Sequence, residues 1–181
     1  MLRRRIRPGF WTLPMTVAKK APTSRIPVPR RDILDSLRGS VDETISLFYL
    51  GYRAGVAGPN RVLDKLGFGR PHHRILYVVA RQPGIAIGSL IEMLAVSRQA
   101  LHRPLRDLVA QGYVAQKAAP TNRRLALLTL TPKGAALENK LTDLQYQAFA
   151  KAFAATGPEA EQHWKAVMRA LADQVRPAFT V

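Results

Sequence analysis

Residues 97–108, SRQALHRPLRDL, carry the pattern of an amphipathic helix with a proline in its middle. Leu101, Leu105 and Leu108 recur at i, i+4 and i+7, one face of a helical period, while Arg98, His102, Arg103 and Arg106 load the remaining surface with positive charge. Pro104 should cost roughly 3 kcal/mol there, because it lacks an N–H and its ring crowds the carbonyl four residues back. The leucine stripe nevertheless keeps one register through the proline. That predicts one kinked helix, anchored by Leu105 and Leu108, rather than two helices.

On its N-terminal side, residues 87–96, IGSLIEMLAV, form a second short helical pattern, separated from the first by only Leu94 to Val96. Ser97 is the N-cap of the later helix and Gly112 closes it, so the pair reads as a helix-turn-helix. After Gly112 the period changes from helical to two. YVAQKA (113–118) and RLALLTLT (124–131) read as strands, and APTNR (119–123) supplies Pro120 and Asn122 as turn formers. A basic hairpin directly after a helix-turn-helix is a wing.

Further helices flank this unit. Ser40 and Glu43 make a capping box before Val41, Ile45, Phe48 and Tyr52, which follow helical spacing. Gly58-Pro59 interrupts that helix, and Pro59 suits the start of a new short one over 59–66 with Val62, Leu63 and Leu66. RPHHRILYVVARQPG (70–84) predicts a mostly buried helix between Pro71 and Pro83-Gly84. Thr131 caps and Pro132 starts a long helix bearing Leu137, Leu141, Leu144 and Ala148. A last helix begins at Pro158, with Glu159 and Glu161 in its first turn, and carries Trp164, Val167, Met168, Leu171 and Val175.

With 181 residues and 47% hydrophobic content the chain can bury a core. No apolar run approaches the roughly 20 residues of a membrane span, and the N-terminus lacks a secretory h-region, so a cytoplasmic protein without membrane contact is expected. The absence of cysteine excludes disulfides, cysteine-ligated zinc and thiol redox switching. The formal net charge of +16 predicts a polyanionic partner. It is uneven: residues 1–31 hold nine basic residues and no acid, leaving 19 basic and 12 acidic in the remainder. Residues 1–38, with five prolines and no sustained periodicity, read as a disordered basic arm. The arm adds phosphate contacts, or its first 14 residues are an extension upstream of a start at Met15; an Arg-rich transit peptide is a third reading.

With these elements in order, the stretch from about Val41 to Leu141 resembles the MarR family of winged-helix transcriptional regulators, most closely over residues 84–134. GIAIGSLIEMLAVSRQALHRPLRDLVAQGYV is similar to the family's helix-turn-helix and following strand, and APTNRRLALLTLTPKG to its wing and next helix start. It departs from the pattern at Asn122, where an aspartate usually steadies the wing, at Ala86 in place of a Ser/Thr cap, at Ala95 in a turn that favours glycine, and at Gly58-Pro59. The resemblance implies a mainly α fold with a small β-wing. A winged helix-turn-helix domain (70–132) would join a helical dimerisation region from both chain ends (39–69 and 133–181). It further implies an obligate homodimer on a near-palindromic operator, repression as the family's habit, and release by a small aromatic or phenolic ligand.

A recognition helix offers its first turns to base edges, with dimer half-sites about 34 Å apart. Arg103 is the first candidate for a bidentate guanine contact and Gln99 for adenine. Ser97, Arg98, His102 and Arg106 are candidates for phosphates, and Arg123 or Arg124 at the wing tip for a narrow minor groove. For a ligand, Phe48, Tyr52 and Arg53 with His72, His73 and Arg74 would converge where the dimer region meets the DNA-binding lobe, a setting for an aromatic carboxylate. Phe48 and Tyr52 can equally be plain core. Gly51, Gly55 and Gly58 clear a strip of the first helix, for close helix packing or for a ligand. Adjacent His72 and His73 point apart on a helix with no third ligand nearby, so no metal or cofactor is expected. His102 and His163 are isolated and read as surface residues.

No nucleophile with its base, paired acid and base, or phosphate cradle appears, so no enzyme is expected. GFGRPH (67–72) lacks the third glycine of a dinucleotide fingerprint and does not follow a strand. Two alternatives stand beside the regulator: a ligand-independent architectural or nonspecific nucleic-acid binder relying on charge, and a winged helix serving protein contacts.

Overall fold

The computed structural model describes residues 35–119 and 125–174, which divide into two compact units between Thr44 and Ile45. The basic arm up to residue 34, the wing turn with Pro120, Asn122, Arg123 and Arg124, and Val175 lie outside the described residues. In the first unit Arg38 pairs with Asp35 at 3.4 Å, and Ser40 Oγ accepts from the Glu43 N–H at 3.1 Å. That is one half of the expected capping box. The other half is displaced by one residue, since the Glu43 carboxylate accepts from Gly39 N.

The elements are α1 (Val41–Lys65), α2 (Arg70–Arg81), β1 (Ile85–Ala86), α3 (Ile87–Leu94), α4 (Arg98–Ala110), β2 (Val114–Ala118), β3 (Ala126–Leu130), α5 (Pro132–Thr156) and α6 (Ala160–Ala172). Helix α1 runs through Gly58-Pro59 without a break, which corrects the expectation of a separate helix over 59–66. Packing overrides the local punctuation. Pro59 and Leu63 are fully buried, and a Cβ on Gly58 would sit 3.4 Å from Leu144 Cβ on α5. A Cβ on Gly55 would likewise meet the Phe149 ring at 3.4 Å, so these two glycines serve close helix packing, whereas Gly51 faces open space.

The core joins Leu63 of α1, Ile75, Leu76 and Val79 of α2, Leu90 of α3, Leu108 of α4, Leu128 of β3 and Leu141 of α5. Strands β2 and β3 form the expected antiparallel hairpin, with Gln116 opposite Leu128. A third strand escaped the sequence reading: Ile85 and Ala86 pair with Leu128 and Leu127, giving the order β1-β3-β2. Two residues are too few to show a period. Helix α6 begins at Ala160 rather than Pro158, because Pro158 and Glu159 form a turn.

Candidate nucleic-acid interface

The helix-turn-helix is α3, the turn Leu94–Ser97, and α4. Ala95 ends α3 with φ +50°, the only non-glycine residue of positive φ among those described, where L side chains are strained. Arg74 of α2 donates to the carbonyl of Leu94 at 2.6 Å, a cation at the helix C-terminus. Ser97 is the N-cap of α4, its Oγ accepting from Ala100 N at 3.1 Å. Helix α4 then continues through Pro104 as one helix, with Leu101, Pro104, Leu105 and Leu108 buried.

The opposite surface of α4 is exposed at Ser97, Arg98, Gln99, His102, Arg103 and Arg106. These side chains form two rows. Arg98, His102 and Arg106, at i, i+4 and i+8, line an open cleft of about 420 Å³ between α3, α4 and β2, above Ile87, Ile91 and Leu105. Gln99 and Arg103 occupy the adjacent outward row. Asp107, the one acid on this helix, continues that row one turn beyond Arg103. Its carboxylate is 3.9 Å from Arg103 Nε, 3.8 Å from Arg106 Nε and 3.7 Å from His72 Nε2. The sequence reading passed over Asp107, although its i, i+4 spacing from Arg103 is a recognisable ion-pair signal.

The wing is tied to the next helix at one tight junction. Thr131 N donates to Tyr113 O at 3.1 Å, and Thr131 Oγ1 donates to Gly112 O at 2.7 Å while accepting from Gly134 N at 3.0 Å. Lys133 adds a bond to Gln111 O at 2.9 Å and lies 4.2 Å above the Tyr113 ring.

The six residues expected to hold a ligand are placed differently from one another. Phe48, Tyr52 and Arg53 are exposed on α1, so the two aromatics are not core in the single chain. Tyr52 accepts from Arg70 Nη1 at 2.9 Å, a residue the sequence reading did not single out. His72 is buried: its Nδ1 accepts from Gly69 N at 3.0 Å, and its ring stacks on Phe68 at 4.5 Å. His73 is half-buried, and neither its Nε2 nor that of His72 has a hydrogen-bond partner among the described residues. Burial pushes both histidines below the usual imidazole range, against the opposing pull of Asp107 on His72 and of Glu138 on His73. Among the described residues no hydrogen bond, ion pair or ring contact joins the α1 trio to His72, His73 or Arg74.

A helix-turn-helix with a cationic second helix, followed by a β-hairpin and backed by α2, defines a winged-helix DNA-binding protein. The MarR family description matches residues 66–125, which span α2 to β2 and stop short of β3. The HTH-type transcriptional regulator PetP of Rhodobacter capsulatus is 36% identical over 129 residues, covering 71% of this chain and 78% of the relative. The chain belongs to the MarR family and is a DNA-binding transcriptional regulator, not an enzyme. Solved structures agree in fold. MarR superimposes with a TM-score of 0.61 at 22% identity over 71% of this chain and 87% of that one. A MarR regulator from Methanosarcina mazei Go1 gives 0.62 at 21% over 72% and 94%. Among the described residues no helix is long and apolar enough to cross a membrane.

Proposed function

We propose that this regulator is a homodimer that represses transcription from a near-palindromic operator and is released from it by a small aromatic or phenolic ligand. The observation that carries the DNA reading is the exposed pair of rows on α4, clear of the leucine face that anchors the helix. Arg103 and Gln99 read base edges, Ser97, Arg98, His102 and Arg106 hold phosphates, and Arg123 and Arg124 reach a minor groove. Residues 70–132 form the DNA-binding domain. Residues 39–69 and 133–181 supply the dimer contacts, and residues 1–38 add phosphate affinity. Support for dimerisation comes from large apolar side chains exposed at both ends of the chain: Ile45, Phe48, Tyr49 and Tyr52 on α1, and Trp164, Val167 and Leu171 on α6. Support for an aromatic ligand comes from exposed Phe48, Tyr52 and Arg53 on α1, from the Tyr52–Arg70 contact, and from the unpartnered Nε2 of His73. The protein would work in the cytoplasm, with its DNA and without a cofactor.

The alternative is a nonspecific nucleic-acid binder driven by the +16 charge. A footprint on the region upstream of the gene, repeated across a salt series and with a panel of aromatic acids, separates the two. A specific regulator keeps a protected site at salt that strips nonspecific binding, and an effector shrinks that site. Arg103→Ala should abolish sequence preference, while Arg98→Ala weakens all DNA alike. Equal effects of both would reject this division of roles, and a monomer in sedimentation would reject the paired half-sites.

A further inference from the structure

We propose that Asp107 aims Arg103 at the base edge and thereby sets operator discrimination without itself touching DNA. The proposal rests on Arg103 being the base reader. It starts from an anomaly: two general preferences oppose an acid at this position. Asp107 is in the last turn of α4, where the helix dipole disfavours negative charge, and it belongs to a helix meant to face a polyanion. Its surroundings show what it does there.

On its core side the carboxylate faces His72 Nε2 at 3.7 Å, an ion-pair distance without a hydrogen bond. His72 is 11% exposed at its side chain and stacks on Phe68, which in turn meets Tyr113 edge-on at 5.3 Å. Because His72 Nδ1 accepts from Gly69 N, the neutral ring carries its proton on Nε2, the nitrogen 3.7 Å from Asp107. With its side chain 32% exposed, the Asp107 carboxylate also faces outward to Arg103, whose side chain is 71% exposed. It meets Arg103 at Nε. That leaves Nη1 and Nη2, the end of the guanidinium fork that matches guanine O6 and N7. An unrestrained arginine must surrender several rotors on reaching a base, and a carboxylate on Nε removes part of that freedom beforehand. The same carboxylate holds Arg106 Nε at 3.8 Å, so one group orients a cation from each row.

Charge and aim make opposite predictions for Asp107→Asn. Removing a negative charge from the DNA-facing helix raises affinity for any duplex. Releasing Arg103 lowers preference for the operator, by about tenfold if most of one bidentate contact is lost. The test uses the full chain, with a duplex that the wild-type protein selects from a randomised pool and a scrambled duplex of the same length. Both are titrated by fluorescence anisotropy at two salt concentrations.

The expected result is that Asp107→Asn binds the scrambled duplex at least as tightly as wild type while its preference falls about tenfold. It should add no further loss in an Arg103→Ala background. Asp107→Glu, which shifts the carboxylate by one methylene at unchanged net charge, should reduce preference without raising scrambled-duplex affinity, and it serves if the asparagine variant does not fold. Arg103→Ala losing preference while Asp107→Asn and Asp107→Glu keep it would overturn the aiming role alone. Arg103→Ala keeping preference would overturn the base-reading assignment, and the aiming role with it.

Discussion

Replacing Gly134 by alanine sets two local effects against each other, and their magnitudes decide the sign. Gly134 lies in the first turn of α5, where alanine is the better helix former by roughly 1 kcal/mol. A Cβ built there, however, lies 1.9 Å from Tyr113 O and 2.9 Å from Tyr113 C, backbone atoms at the start of β2. To restore ordinary contact at 3.4 Å, the helix start must retreat by about 1.5 Å. That displacement breaks the Thr131 bonds to Tyr113 O and Gly112 O and disturbs Lys133 on Gln111 O. At about 1 kcal/mol for each of three hydrogen bonds, the loss is about 3 kcal/mol, so the net change is destabilising by about 2 kcal/mol. Urea denaturation should show a lower midpoint, and the melting temperature should fall by about 4–8 °C. Gly88→Ala, at a helical glycine with nothing within 4 Å, is the control and should be neutral or mildly stabilising. A Gly134→Ala protein as stable as wild type would refute the argument that this close approach fixes the wing to α5.

The pair Arg81–Glu138, 2.7 Å apart with the carboxylate buried and the guanidinium 42% exposed, offers a second test. Arg81→Ala leaves a carboxylate that is 5% exposed with only the Thr142 hydroxyl donating to it among the described residues, and should destabilise by about 2 kcal/mol in urea; an unchanged midpoint would show that water replaces the guanidinium. Pro104→Ala regains roughly 3 kcal/mol of helix propensity and forfeits roughly 1.6 kcal/mol for two buried methylenes, so stability should rise by about 1.4 kcal/mol, read as a higher urea midpoint. A fall would mean that packing of the ring, which is buried, outweighs the missing bond. Stability should also decline as pH falls below about 6.5. His72 and His73 titrate lower in the folded chain than in the unfolded one, so the unfolded state takes up more protons there, while above that pH their contribution is complete. Urea midpoints at pH 7.5, 6.5 and 5.5 check this; a His73→Gln protein with the same slope as wild type would remove His73 from the account.

Much of the interface was legible because its signals are local. Ser97 and Thr131 cap their helices as their spacing with the following residues requires, and the leucines of α4 keep one face through Pro104. The hairpin follows from alternation over five-residue strands. The ligand expectation fared differently, since it asked for residues of separate helices to meet. His72 and Arg74 instead bond Gly69 and Leu94, and Tyr52 meets Arg70.

The sequence by itself determined the order of helices, the helix-turn-helix, the wing strands and the cationic face, since each depends on backbone bonds and side-chain periodicity within a few residues. Tertiary structure decided the rest. Burial of Pro59 against neighbours carries α1 through a break that propensity alone would impose, and pairing with β3 makes a strand of Ile85–Ala86. The fold brings His72, 35 positions earlier in the chain, to 3.7 Å from the one acid of α4. Such contacts join residues distant in the chain, and no local pattern encodes which distant partner will arrive.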